Sequence, residues 1–297
     1  MNSASPISGR GSAALIVEGG AMRGIFAAGV LDTWSRADYY PFALCLGVSA
    51  GSTALAAYLS GQIGRTHGVI TDVSCRKPFI SLPRFLGGGH WLDLDWLWPV
   101  SLAEYPFDVA EFSRRNTPLL IVTTRVADAT PCYHLAEPES MMTVAKASCS
   151  VPVAYRNFVL LDGKAHTDGG VADSIPVIEA YRRGARQITV LLSQPWGYRK
   201  RPARYPQLLR YLLRQQPVLA EAMLSRHRQY NAALDFIRNP PADCEVRLLA
   251  PPPDFKVGRL TRNRQALERG YQQGIAAADC YLQRYAGCSG LAGRENC

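Results

Sequence analysis

Five residues, Gly47-Val48-Ser49-Ala50-Gly51, constrain this chain more than any other stretch of it. They follow the apolar run 42–46 and lead into the small-residue, helix-compatible segment 52–60. The serine therefore falls at a sharp turn from strand to helix, the context of a nucleophile elbow. A serine there is held in a strained backbone conformation, and a Cβ at either flanking glycine would collide with the neighbouring strand or helix. In return, its hydroxyl stands beside free N–H groups and the positive end of a helix dipole, which favour a developing oxyanion. Taken alone, the same residues also fit a glycine-rich turn that does no chemistry.

The preceding unit has a related form. Residues 13–17 (AALIV) read as a short buried strand, Glu18-Gly19-Gly20-Ala21-Met22-Arg23-Gly24 as a glycine-rich turn, and residues 25–34 as a helix. A dinucleotide fingerprint is disfavoured, because Ala21 stands where its second glycine belongs and no acid ends the next strand. No cofactor is expected. Two consecutive βα units instead predict a parallel α/β sheet with the glycine loop and Ser49 at one carboxyl edge. Gly19 and Gly20 are then suited to an oxyanion hole, since a carbonyl oxygen must come within about 3 Å of their amides. Arg23 would stiffen the loop by binding nearby carbonyls or acids, or would simply be an exposed arginine at a helix start.

A serine hydroxyl needs a positioned base. In the hydrolase order serine, acid, histidine, only His227 follows a suitable acid, and it lies within an apparently continuous helix between Arg226 and Arg228. Flanking arginines disfavour the imidazolium that a catalytic histidine must become. Asp168 is the better partner: it ends a strand-like segment after a hairpin signal at Asp162-Gly163, and Gly169 and Gly170 let the chain turn with the carboxylate against backbone. A buried carboxylate of raised proton affinity can accept the serine proton directly. Asp-Gly-Gly by itself is also an ordinary tight turn.

Glu18-Gly19-Gly20-Ala21-Met22-Arg23-Gly24, Gly47-Val48-Ser49-Ala50-Gly51 and Asp168-Gly169-Gly170 resemble, in order and spacing, the three signature blocks of patatin-like phospholipases. The wording EGGAMRGIFAAGVLD is similar to a bacterial branch of that family. The resemblance implies a three-layer α/β/α sandwich with a mostly parallel central sheet over residues 13–181. Residues 182–297 would complete the sheet and then form a mainly helical C-terminal extension. It implies lipid acyl hydrolysis through an acyl-serine intermediate, with Ser49 as nucleophile, Asp168 as general base and the backbone of Gly19, Gly20 and Ala21 as oxyanion hole. Gly24, Gly47, Gly51, Gly169 and Gly170 would serve as motif glycines. Ala21 departs from the family, which often has a third glycine there.

Composition bears on partners. Of 297 residues, 47% are hydrophobic and 19% charged, enough apolar residues for a large core. The polar first eleven residues lack a secretory pattern and no apolar run nears 18 residues, so a cytoplasmic protein without a membrane span is expected. The eight dispersed cysteines lack a C-x-x-C, which predicts reduced thiols and no metal site. The net charge of +9 is concentrated in residues 198–214, six Lys and Arg with no acid, interleaved with Tyr and Leu. That segment reads first as a solvated helix face; with a lipid or fatty-acyl ester substrate, peripheral contact with an anionic membrane becomes the stronger alternative, and nucleic acid is not expected. A second function class is a membrane-binding regulatory protein on a patatin-like scaffold. Residues 64–108, rich in Pro, Gly and Trp, read as a long irregular excursion, a lid or acyl-binding loop or else a satellite core under the loop.

Overall fold

The computed structural model describes residues 13–285. Its strands are β1 (Ala13–Val17), β2 (Leu44–Val48), β3 (Leu119–Arg125), β4 (Pro131–Leu135), β5 (Val159–Leu161), β6 (Lys164–Asp168), β7 (Gln187–Leu191) and β8 (Glu245–Leu249). Its helices are α1 (Ile25–Arg36), α2 (Ala50–Leu59), α3 (Arg65–Thr71), α4 (Leu82–Leu86), α5 (Leu94–Glu104), α6 (Val109–Arg115), α7 (Met141–Cys149), α8 (Val177–Arg182), α9 (Pro206–Leu212), α10 (Pro217–Arg238) and α11 (Arg264–Tyr285).

One eight-stranded sheet runs β5-β6-β3-β2-β1-β7-β8, with β4 paired to β3. The five strands β3, β2, β1, β7 and β8 are parallel, and β4, β5 and β6 are antiparallel to their neighbours. Both faces of the central part are covered, so β1 (AALIV) and β2 (LCLGV) carry no charged or polar side chain. On β1, Leu15 and Val17 pack with Phe26, Trp34, Leu55 and Tyr281 from α1, α2 and α11. Ala14 and Ile16 face the other way, onto Val177, Tyr230, Ala233 and Leu234 from α8 and α10. These are the three layers expected of the sandwich.

Local chemistry fixes several boundaries. Asp108 caps α6 by accepting from the Glu111 amide at 2.9 Å, as its position predicts. The β5–β6 hairpin turns at Asp162 and Gly163, both at positive φ (48° and 72°), the geometry of a type I′ turn. β4 escaped the sequence reading; its five residues are only partly buried, and they fold back antiparallel on β3. α8 begins at Val177, with Pro176 at its cap and no side-chain cap bond.

The excursion 64–108 is not irregular. It contains α3, α4, α5 and a 3-10 turn, packed around a satellite core of Val73, Phe79, Leu92, Leu94, Leu97 and Tyr155. Proline hid α5, because Pro99 lies inside it, while Asp93 caps its start by accepting from the Trp96 amide. Five cysteines (Cys45, Cys75, Cys132, Cys149 and Cys244) are free thiols. Cys280 is disulfide-bonded, against the expectation of reduced thiols throughout.

α11 belongs to the fold rather than trailing from it. It crosses α1 where Gly29 meets Gly274: a Cβ on Gly274 would lie 2.1 Å from the Phe26 carbonyl oxygen, and one on Gly29 2.2 Å from that of Tyr271. Forcing side chains into so close a helix contact costs about 1–3 kcal/mol or more. Gly274→Ala is accordingly expected to lower the melting temperature in a thermal scan, and Gly274→Val to lower it further; an unchanged value would show that α11 is not held at this crossing.

Candidate active site

β2 pairs with β3 as far as Val48 opposite Val122. From Thr123 onward β3 pairs instead with β6, Thr123 lying opposite Asp168, while β4 occupies the other edge throughout. β2 and β6 thus use the same edge of β3, one taking over where the other stops, from opposite directions. Ser49 leaves the end of β2 and Asp168 ends β6, so the register brings the two residues together.

The elbow has the strain that its sequence predicts. Ser49 sits at φ 52°, ψ −129°, outside the regions that L residues prefer. Its amide donates to the Ser148 hydroxyl at 2.7 Å, which in turn donates to the Val122 carbonyl at 2.6 Å. Its carbonyl accepts from both the amide and the hydroxyl of Ser52, at 2.9 and 2.7 Å. The flanking glycines are required by close approach. A Cβ on Gly51 would stand 2.3 Å from the Val17 carbonyl oxygen, and one on Gly47 2.5 Å from Ser52 Cα.

The glycine loop lies against this turn: a Cβ on Gly19 would come within 2.8 Å of Ser49 Cβ. The amides of Gly19, Gly20 and Ala21 donate to no described residue, whereas that of Glu18 is bonded to Leu191. Ala21 adopts φ 49°, the left-handed conformation that a glycine would take without strain. Arg23 is buried and donates to the Ser193 hydroxyl at 3.0 Å. The Ser193 amide donates to Glu18 at 2.7 Å, so both ends of the loop are tied to the chain after β7. That is the stiffening role expected of Arg23, delivered through a hydroxyl.

Asp168 is buried, and its carboxylate accepts from the Gly170 amide at 2.6 Å. Burial pushes its proton affinity above that of an ordinary aspartate, opposed by Arg226, the Gly170 amide, Arg259 and a side-chain hydrogen bond with Ser49. His227 is absent from this cavity; it stays on α10 with Nδ1 2.9 Å from the Leu224 carbonyl oxygen. Cys45 is a buried thiol whose pKa burial raises, which keeps it from reacting as a thiolate.

Two cavities meet at Ser49. One is apolar, lined by Val69, Ile70, Phe79, Leu97, Trp98 and Met142 among others, so the 64–108 segment both has its own core and walls this space. The other contains Ser49, Asp168, Gly19, Gly20 and Ala21 together with Lys200, Arg226 and Arg259. These last three, like Ser148 and Ser193, were not singled out from sequence. Lys200 lies in the basic segment and Arg226 beside His227, but neither carries a motif. Away from the site, Cys132 and His134, two residues apart on β4, are joined by His166 of β6, with potential ligand atoms within 4.8 Å of one another. The Thr123 hydroxyl already bridges the two imidazoles, at 2.9 Å from each.

Sandwich, elbow, glycine loop and Asp-Gly-Gly turn together describe a patatin-like protein, and residues 15–181 match the patatin-like phospholipase family. The chain belongs to that family. Residues 216–288 match a further family described as a domain of unknown function. The chain is 32% identical over 277 residues to the uncharacterized protein YjjU of Escherichia coli strain K12, covering 92% of this chain and 77% of that one. Among solved structures it resembles VipD from Legionella pneumophila, with 13% identity, a TM-score of 0.46, and coverage of 92% of this chain and 67% of that chain. No helix among the described residues is long and apolar enough to cross a membrane.

Because burial raises the pKa of Asp168, its charged form costs stability at neutral pH, a cost that vanishes as pH falls through that pKa. Asp168→Asn retains an acceptor for Gly170 and removes the charge. Its melting temperature at pH 7 is expected to exceed that of the wild type by a few degrees, the gap closing toward pH 4. A lower value at pH 7 would mean that the carboxylate is not a strained group.

Proposed function

We propose that this protein is a serine lipid acyl hydrolase of phospholipase A, lysophospholipase or esterase type, working through a Ser49–Asp168 dyad. The observation that carries this reading is the shared edge of β3, which sets the elbow serine and the end of β6 against each other beside three unbonded amides. Asp168 takes the Ser49 proton as the hydroxyl oxygen attacks the ester carbonyl. The resulting oxyanion is held by the amides of Gly19, Gly20 and Ala21. Collapse expels the alcohol, which receives the proton from Asp168 and leaves an acyl-serine. Asp168 then deprotonates a water that attacks the acyl group, and the released fatty acid leaves Ser49 with its proton restored. The apolar cavity would take the acyl chain.

A peripheral contact with anionic membrane belongs to the same reading. Around α9, Tyr205, Leu208 and Tyr211 are exposed, between Arg204 and Arg214. Such a face suits the interface of a charged bilayer.

Ser49→Ala is expected to lower ester hydrolysis at least about 1000-fold, and wild type but not Ser49→Ala should be labelled by a fluorophosphonate. Folded wild-type protein that neither reacts nor turns over would favour the regulatory alternative. The pH profile tests the base. Since the dyad needs ionised Asp168, kcat/KM should fall with decreasing pH through a midpoint above about 3.9, the value of an unperturbed aspartate. Arg226→Gln removes a cation that holds this pKa down and should move the acid limb to higher pH. An acid limb indifferent to Arg226 would remove Asp168 from the role of base.

A further inference from the structure

The cavity at Ser49 holds more positive charge than its surroundings neutralise. Lys200, Arg226 and Arg259 line it together with Asp168, and the same three also line an adjoining cavity with Arg23, Arg201, Tyr198 and His227. No acid lines the adjoining cavity. Across the two there are five cations (Arg23, Lys200, Arg201, Arg226 and Arg259) against two carboxylates (Glu18 and Asp168), an excess of three.

Both carboxylates act on these cations at a distance, but neither pairs with one directly. Glu18 accepts from the Ser193 amide and the Tyr230 hydroxyl, and Asp168 from the Gly170 amide; neither is in an ion pair with a described residue. Several outer arginines, Arg76, Arg114, Arg125, Arg186, Arg199 and Arg210, each bond a nearby carboxylate, while others such as Arg204 and Arg214 are exposed to solvent. Arg226 and Arg259 make no side-chain hydrogen bond or ion pair with any described residue, and Arg226 Nε is sealed from solvent without a partner. Lys200 Nζ rests 4.1 Å from the Tyr230 ring centroid. Burial, with Arg226 and Arg259 nearby, pushes the Lys200 pKa down to about 7. Crowding like charges in a partly desolvated space is unfavourable unless an anion joins them.

We infer that Lys200, Arg226 and Arg259 form a receptor for a doubly charged phosphate group, and that the enzyme favours acyl esters of alcohols bearing a phosphate monoester. This inference rests on the hydrolase reading, since Ser49 lies where the cationic and apolar cavities meet. An ester seated at Ser49 would place its acyl chain in the apolar cavity and its alcohol portion among the cations. Guanidinium groups match phosphate oxygens in geometry as well as charge. A zwitterionic head group fits less well, because its ammonium group would enter a space in which cations outnumber carboxylates. A neutral acylglycerol would leave the cations as they are. Free phosphate shares the recognised chemistry and must be separated by experiment.

Hydrolysis of 1-acylglycerol 3-phosphate, 1-acylglycerophosphocholine and 1-monoacylglycerol of one chain length gives the selectivity. The phosphate monoester is expected to have a kcat/KM at least tenfold above the other two. Arg259→Gln, at an exposed position, and Lys200→Gln should each reduce the monoester-to-monoacylglycerol ratio at least tenfold, chiefly through KM, with Arg259→Lys restoring part of it. In parallel, calorimetry on Ser49→Ala should detect glycerol 3-phosphate and show it weakened by the added Arg259→Gln change. Equal hydrolysis of the three lipids overturns the inference and leaves the hydrolase intact. Binding of inorganic phosphate without a preference in hydrolysis also overturns it, reducing the cup to a free-phosphate site. Folded wild type that cleaves none of them refutes the hydrolase reading, and the calorimetry still decides whether the cup holds phosphate.

Discussion

The hydrogen bond from the Ser148 hydroxyl to the Val122 carbonyl sits at the point on which the site depends. There the edge of β3 changes partner, from β2 running one way to β6 running the other. A partner change leaves buried peptide groups in need of bonds, and an unmade one costs about 1–3 kcal/mol. Ser148 supplies the missing donor and at the same time accepts from the Ser49 amide. Gly169 packs onto the same carbonyl so closely that a Cβ there would be 2.2 Å from its oxygen. The residues that follow β2 and β6 are thus both referenced to one peptide group. This explains how Ser49 can be kept at positive φ: its amide and carbonyl are both bonded, so the strained conformation is over-determined.

Around this fixed point the protein separates its polar and apolar spaces. Segments before β3 and α7 build the apolar cavity, while the chain beyond β7 supplies Lys200, Arg226 and Arg259. On the outer surface several arginines sit beside carboxylates, where exposed pairs contribute little to stability. Arg226 and Arg259, which line the cavity with Asp168, are in no ion pair with a described residue.

What could be read from sequence follows the range of the forces involved. The elbow, the glycine loop, the β5–β6 turn and the Asp108 cap each depend on backbone geometry within a few residues, and composition records that directly. The fully buried strands were legible because parallel strands covered on both faces are apolar throughout. β4 was missed because it is half-buried and lacks that run, and the helices of 64–108 because proline and tryptophan blurred their period. Ser148, Ser193 and the three cations act across separations that no local pattern encodes; Arg23 and Ser193, for instance, lie 170 residues apart. The approach of His166 to Cys132 and His134 is likewise a product of β4 and β6 flanking β3.

The crossing of α1 and α11 has a consequence for the order in which the protein comes into being. β1 emerges during synthesis well before its neighbour β7 and before α11, the helix that covers α1. The glycine loop also waits for Ser193 and Tyr230, which fix Glu18. A nascent chain carrying the whole elbow and the Asp-Gly-Gly turn would therefore still lack a bound glycine loop and a closed core, and the surroundings of Ser49 are completed only once α11 has been made.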